Sequence, residues 1–324
     1  MRLNFLLLAA QLLLAGSLYS QTTTSLPIAN LYDKAGHSVS TSSLSDFDNP
    51  VLVITYAEQW CAPCTKLISD LDRNYNSLGA ASHVKVYAIN VEKYRKSSSV
   101  FDLASRWSHV EVLHDRDGQF QTALETTVAP HIFFLDENQQ VVFWQKSYDL
   151  EVKKAYQLAT WIRNKEVKAG HLYFDKDWFA CPPSQALYYR SQQKGPDGMW
   201  TVTDYYKSGK VQMRGKARKL FPLIHEGRYQ YYYENGQLSS EVNYANDKLE
   251  GLSTGYFENG RKSYEYHYSN GEYEGTWTRY YDNGQISNTG TYKLGKISGI
   301  WRNYYKSGKK WKETSWENGK RNGL

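Results

Sequence analysis

Val51-Leu-Val-Ile-Thr-Tyr56, followed by Trp60-Cys61-Ala62-Pro63-Cys64, decides the reading of this chain. A β-branched apolar run bounded by Asp48-Asn-Pro50 predicts a buried strand. After the cysteines, Leu67, Ile68, Leu71, Tyr75 and Leu78 recur at helical spacing. A strand that hands a cysteine to a helix start offers it unpaired N–H groups and the positive end of the dipole, which favour thiolate over thiol. Pro63 suits an early helical turn because its missing N–H is not needed there. Cysteines at i and i+3 lie on adjacent turns, close enough for a disulfide. Cys61 is expected to be exposed at the helix tip, and Cys64 one turn in and more buried. Attack by Cys61 on a substrate disulfide makes a mixed disulfide, which Cys64 resolves. A structural disulfide and half a zinc site are the competing readings. Zinc needs two more ligands at fixed spacing; Cys181 stands apart and the eight His are scattered. No metal and no cofactor are expected.

Working outward, Val84–Ile89 and Val110–Leu113 read as further strands, with a helix-like stretch at Val100–Trp107 between them. Ala129-Pro130-His131 precedes Ile132-Phe-Phe-Leu135, and Asp136-Glu-Asn-Gln-Gln140 turns into Val141-Val-Phe-Trp144. Leu150–Val167 is an amphipathic closing helix. Strands alternating with helices predict an α/β layer fold. The residues Val51-Leu-Val, Trp60-Cys-Ala-Pro-Cys64, Ala129-Pro130 and the strand–turn–strand 133–142 resemble the thioredoxin superfamily, and more closely its secreted TlpA-like branch. The resemblance covers about residues 26–167. It implies a thioredoxin-like fold with Cys61 as nucleophile, Cys64 as resolving thiol and Pro130 as a cis-proline after Ala129, facing the disulfide. Trp60, Ala62, Pro63, Ala129 and His131 would line the site.

Three departures from that pattern stand out. Ile54 occupies the place of the buried acid of thioredoxin, Gln59 looks like an insertion before Trp60, and His131 follows Pro130 where Thr is usual. The general base is therefore unassigned. Glu58 reads as an ordinary surface carboxylate, and His131 as a structural residue or one that tunes the thiols.

Arg2, the apolar run Phe5 to Leu14 and the small residues Ala15, Gly16, Ser17 and Ser20 have the layout of a secretory signal peptide, placed at 1–20. The run is shorter than the ~20 apolar residues of a membrane span, so no transmembrane segment is expected after cleavage. The protein is expected to be exported, periplasmic or extracellular, where disulfides persist. Three Cys among 324 residues exclude a disulfide-dense scaffold, and a mean hydropathy of −0.66 excludes a multi-span membrane protein.

The 28 Tyr are unevenly spread: 17 fall in residues 198–324, which carry 20 Lys and Arg against 13 Asp and Glu. There Gly227, Gly251, Gly275, Gly299 and Gly323 recur every 24 residues. Aromatic pairs follow at fixed offsets, Tyr232-Tyr233, Tyr256-Phe257, Tyr280-Tyr281 and Tyr304-Tyr305. Next come Asn235-Gly236, Asn259-Gly260, Asn283-Gly284 and Ser307-Gly308. Asn-Gly is the strongest short hairpin signal, because both turn residues can take φ > 0. Each unit then reads as a hairpin in an antiparallel meander, and the longer unit from Gly198 as an atypical cap. The pattern resembles bacterial MORN-type repeats, five in residues 198–324, after a linker at 168–197 that is expected to pack down in part at Trp178 and Phe179 and to bury Cys181. Adjacent residues of a strand face opposite sides, so one aromatic of each pair is expected to stack and the other to serve binding. Gly251-Leu-Ser-Thr-Gly255 matches a nucleophile elbow, but that motif needs a strand-to-helix turn, and Ser253 sits where other units carry Tyr229, Trp277 and Trp301. The basic residues are mixed with acids, so nucleic acid is not expected.

The sequence thus points to an α/β thioredoxin-like domain (21–167) fused to an all-β repeat domain. The expected function is exported thiol–disulfide exchange with protein thiols or disulfides and a thiol electron donor or acceptor, the repeats contacting a protein or envelope surface. The rival is a binding scaffold with a catalytically quiet thioredoxin-like domain.

Overall fold

Every residue of the strand Val51–Tyr56 (β3) is buried in the computed structural model, which describes residues 25–322 apart from 46–47, 126–129, 146–149, 171 and 221–222. A strand apolar along both faces needs neighbours and cover on both sides. Its sheet runs Ser38–Ser40 (β2), Asn30–Tyr32 (β1), Val110–His114 (β5), Lys85–Asn90 (β4), β3, Ile132–Leu135 (β6), Val141–Gln145 (β7). β4 lies parallel to β3 and β5 parallel to β4, while β6 and β7 run antiparallel to their neighbours. Among the described residues four α-helices accompany it: Ala62–Asn74 (α1), Ser97–Ala104 (α2), Gln119–Ala123 (α3) and Val152–Arg163 (α4). α1 buries Cys64, Leu67, Ile68 and Leu71, the i, i+3, i+4, i+7 stripe of an amphipathic helix. The Tyr156 hydroxyl of α4 donates to the Leu71 carbonyl at 2.6 Å and joins the two helices.

The antiparallel entry of β6 positions the site. Ile54 pairs with Ile132, so β6 begins where β3 ends. One residue further, Thr55 N–H donates to the His131 carbonyl at 2.8 Å, and the Thr55 hydroxyl accepts His131 N–H at 2.6 Å. Pro130 is thereby brought to the end of β3 from which the cysteine loop leaves.

The chain divides into two compact units between Ala186 and Leu187. The stretch 168–197 is divided between these units. Its first part packs into the thioredoxin-like unit: Phe179 lies 4.8 Å from the Phe143 ring and 6.4 Å from Phe134, and Phe174 bridges Ala180. The Pro-Pro and Gly-Pro signals mark irregular backbone, which can be well packed when large rings anchor it. Its second part, Tyr188–Lys194, is already a strand paired with Trp200–Tyr206. The buried Arg190–Asp204 ion pair, bidentate at 2.6 and 2.9 Å, ties this first hairpin together.

From there an antiparallel meander continues to Lys320–Asn322. The turn chemistry differs from the two-residue Asn-Gly reading. Gly236 takes φ +91°, but Asn235 keeps negative φ. Gly236 N–H donates back to the Tyr233 carbonyl at 2.8 Å, and the Asn235 side chain accepts Gln237 N–H at 2.9 Å. The Asn acts as an acceptor that closes a longer loop, and the Gly supplies the left-handed residue. Asn259 and Asn283 repeat this bond onto Arg261 and Gln285. Two-residue turns with both central residues at positive φ occur at the other end of the unit, at Asn246-Asp247, Asn270-Gly271, Leu294-Gly295 and Asn318-Gly319.

The aromatic pairs also differ from expectation. Tyr232, Tyr256, Tyr280 and Tyr304 end their strands, and the second residue of each pair opens the turn. Tyr206, Tyr233 and Tyr281 each send their hydroxyl to a carbonyl of the following unit, at Tyr232, Tyr256 and Tyr304, over 2.7, 2.7 and 2.8 Å. Phe257 stands at this position without a hydroxyl. The ring contacts come from other offsets: Tyr266 stacks on Trp277 at 4.8 Å, while Tyr273 meets Tyr292 at 4.9 Å and Trp277 meets Trp301 at 5.1 Å with their planes tilted. Gly215, Gly255 and Gly290 lie directly under Tyr229, Tyr264 and Trp301, where a Cβ would collide with the ring. Ser253 is a buried strand residue paired with Tyr266, so the nucleophile-elbow match has no turn to stand on.

The inter-repeat hydroxyls give a paired test. Tyr281→Phe should cost about 1 kcal/mol and lower the thermal midpoint of the repeat unit by about 3 °C. Phe257→Tyr, which restores the missing donor, should raise it. Equal midpoints in thermal unfolding followed by circular dichroism would show that these bonds do not hold successive hairpins together.

Candidate redox site

β3 ends at Tyr56, and residues 57–61 turn the chain into α1. Cys61 N–H donates to the Ala57 carbonyl at 3.0 Å, and the Cys61 carbonyl accepts Cys64 N–H at 3.0 Å. Cys61 is thus the N-cap of α1, with Ala62 and Pro63 in the first turn. Cys61 and Cys64 form a disulfide with Cα atoms 5.3 Å apart. Their accessibility departs from expectation. Cys64 is 0% exposed, but Cys61 is only 5% exposed, while Trp60 is 54% exposed. The Cys61-to-Ala57 bond folds the loop back on itself, so the indole takes the surface position and the cysteine the inside one. Ala62 and Pro63, between the sulfurs, are exposed. Pro130 and His131 are both buried beside the β3 exit. Ala129 and its bond to Pro130 lie outside the described residues.

The site has no carboxylate in β3. Ile54 is fully buried among apolar neighbours. The Tyr56 phenol is pushed up by burial, so it stays protonated at neutral pH. The sequence reading missed the group that organises the loop, Glu92. Its side chain is 7% exposed. Its carboxylate accepts Glu58 N–H at 2.9 Å and Gln59 N–H at 3.0 Å, the two residues just before Trp60. Asn90 Nδ2 donates to it at 3.0 Å and Arg95 Nη1 at 3.3 Å. Burial opposes the charge, but these four donors outweigh it and hold the carboxyl below the usual glutamate range. Glu58 is not a free surface carboxylate either, since it pairs with Arg95. Beneath them His114 contacts the Glu92 carbonyl through Nε2 at 3.2 Å and Ser97 through Nδ1 at 3.0 Å. Burial lowers the pKa of His114, which suits a neutral ring with Nε2–H donating and Nδ1 accepting. Nothing local marks Glu92 in the sequence. It lies 34 residues from Glu58, and only the parallel pairing of β3 and β4 brings the strand ends together.

Cys181 is buried, and its N–H donates to the Tyr173 carbonyl at 3.1 Å. Burial, with a smaller push from Asp175, raises its thiol to about 11. It is a protected thiol, unlike a reactive one. Among the described residues no three His, Cys, Asp or Glu gather as a metal cluster, and no helix is long and apolar enough to cross a membrane.

Residues 23–144 match the AhpC/TSA family, and residues 226–246, 273–294 and 297–318 match the MORN repeat variant. The chain matches no curated protein. Solved structures similar to it include an uncharacterized thioredoxin-like protein from Porphyromonas gingivalis, 24% identical over 45% of this chain and 92% of that one, with a TM-score of 0.37. A putative thiol:disulfide interchange protein DsbE from Chlorobium tepidum is 20% identical over 44% and 96%, TM-score 0.35. StoA from Bacillus subtilis is 16% identical over 41% and 96%, TM-score 0.33. The chain joins a thioredoxin-like α/β domain to antiparallel MORN-variant repeats.

Glu92→Ala should destabilise the first unit by about 2–3 kcal/mol, because charge-assisted bonds are lost and buried donors are left unpaired. Glu92 is depressed in the folded state, so its contribution is complete above the ordinary glutamate value and is lost as pH falls through the folded value. Glu92→Gln should remove that part of the acid dependence. Urea midpoints from pH 3 to 7 that coincide for wild type and both variants would show that the loop is held by other means.

Proposed function

We propose that this protein is an exported thiol–disulfide oxidoreductase with the Cys61–Cys64 pair as its redox centre, and that its repeat domain binds a protein or envelope surface. The observation that carries the reading is the Cys61–Cys64 disulfide closed over the first turn of α1, with Cys61 as the helix cap. In the reduced protein, the positive end of the α1 dipole favours a Cys61 thiolate. That thiolate attacks one sulfur of a substrate disulfide, forming the mixed disulfide and releasing the other sulfur as a thiolate, which takes a proton from water. Cys64, deprotonated, then attacks the Cys61 sulfur. The Cys61–Cys64 bond re-forms and the substrate leaves as a dithiol, two electrons richer. A second dithiol reduces the protein for the next round. The same two sulfurs serve the reverse direction, which the potentials of the partners decide. Pro130, carried to the β3 exit by the Thr55–His131 bonds, is placed in this reading as the cis-proline beside the disulfide. Export rests on the apolar N-terminal run, which lies outside the described residues.

Insulin reduction by dithiothreitol tests the reading. The wild-type chain should accelerate precipitation of the insulin B chain, and Cys61→Ser should abolish the acceleration. Cys181→Ala should leave it nearly unchanged. A wild-type rate equal to that of dithiothreitol alone would favour the scaffold reading, in which the thioredoxin-like domain is quiet.

A further inference from the structure

The bonds that hold the cysteine loop also fix a second segment beside it. Residues Glu92–Arg95 form a turn in which Arg95 N–H donates to the Glu92 carbonyl at 2.9 Å. Both ends of this turn grip the loop: Glu92 through the N–H groups of Glu58 and Gln59, Arg95 through the Glu58 carboxylate. The tip, Lys93-Tyr94, is left facing water. Tyr94 is 92% exposed. Among the described residues of the first unit, the exposed large apolar side chains are Ile28, Trp60, Leu78 and Tyr94. The two aromatic ones therefore flank a single feature, Trp60 next to Cys61 and Tyr94 on the turn bolted to the residues before it. Packing does not explain a ring left almost wholly in water in a unit whose other described aromatic rings are at least partly covered. Three charged side chains, Glu58, Glu92 and Arg95, are partly or largely withdrawn from water to hold the turn in place, a costly arrangement for a surface with no use.

We propose that the turn Glu92–Arg95 is a substrate-docking turn, with Tyr94 contacting an extended polypeptide segment that carries the disulfide presented to Cys61 and an apolar side chain near it. The inference rests on the oxidoreductase reading and adds a contact residue outside the cysteine pair that favours protein disulfides over small ones. A tyrosine on a fixed turn supplies contact area at low entropic cost, because the backbone beneath it is already held. Exchange chemistry stays with the two sulfurs, and the turn contributes to binding alone.

The test uses the full chain. Insulin and glutathione disulfide are compared as substrates for wild type, Tyr94→Ala and Tyr94→Phe. Tyr94→Ala should raise KM for insulin about fivefold, the loss expected for a modest contact residue. It should leave kcat and the rate with glutathione disulfide unchanged, and Tyr94→Phe, which keeps the ring, should behave as wild type. An unchanged insulin KM in Tyr94→Ala, or an equal loss with glutathione disulfide, overturns the docking role while leaving the exchange reading intact. A wild-type chain that exchanges with neither substrate overturns both.

Discussion

The carboxylate of Glu92 is the constraint on which the first unit's site depends. β3 delivers the chain to the helix start, but a strand end alone does not decide how five residues turn into α1. Two backbone N–H groups of that turn would be left without partners where the loop is drawn inward, and Glu92 takes both of them. Asn90 and Arg95 keep the carboxylate charged, and His114 secures its backbone from below. With 58 and 59 fixed, Cys61 folds back to Ala57 and becomes the cap. The burial of the disulfide, the exposure of Trp60 and the position of Tyr94 all follow from that one set of bonds.

The second unit is held by a different kind of order. No central strand dominates it. Successive hairpins are tied by ladder bonds and ring contacts, and from Tyr206, Tyr233 and Tyr281 also by a tyrosine hydroxyl, so stability passes between neighbours. The 24-residue period keeps these three contacts in phase. Gly290 can lie under Trp301 because the same strand pairing puts Thr289 against Arg302 next to it, and any slip would drive a side chain into the indole. The period is therefore a packing requirement, and its strictness says nothing about catalysis.

Much of this architecture was legible in the residues themselves. β3, the helix stripe from Cys64 to Leu71, and the hairpin meander follow from local periodicity and turn residues, which act over a few positions. What escaped was long-range or depended on orientation. Glu92 is an unremarkable acid until β4 lies beside β3. The accessibility of Cys61 depended on the backbone fold of 57–61, which helix-tip geometry alone does not fix. Asn-Gly at the long turn satisfied a two-residue rule, yet Asn235 works through its side chain; the rule holds at Asn270-Gly271 instead. Around Cys181-Pro-Pro183 the prolines mark irregular chain and Trp178 and Phe179 signal that part of it packs down, but composition does not report that the partner of Phe179 is Phe143.

In the proposed exchange, the arrangement also constrains how protons could move. As a disulfide, the sulfur at Cys61 carries no charge, and its burial costs little. As a thiolate it would need the N–H groups of the first turn of α1, because the loop around it offers carboxylates in place of cations. Arg95, which reaches that loop, is already engaged by Glu58 and Glu92. Ile54 leaves no acid behind the strand, and the phenol of Tyr56 holds its proton too tightly to serve as a base. A proton leaving Cys64 has no internal carboxylate in β3 to receive it, so it must pass to solvent or to the incoming substrate's own thiolate.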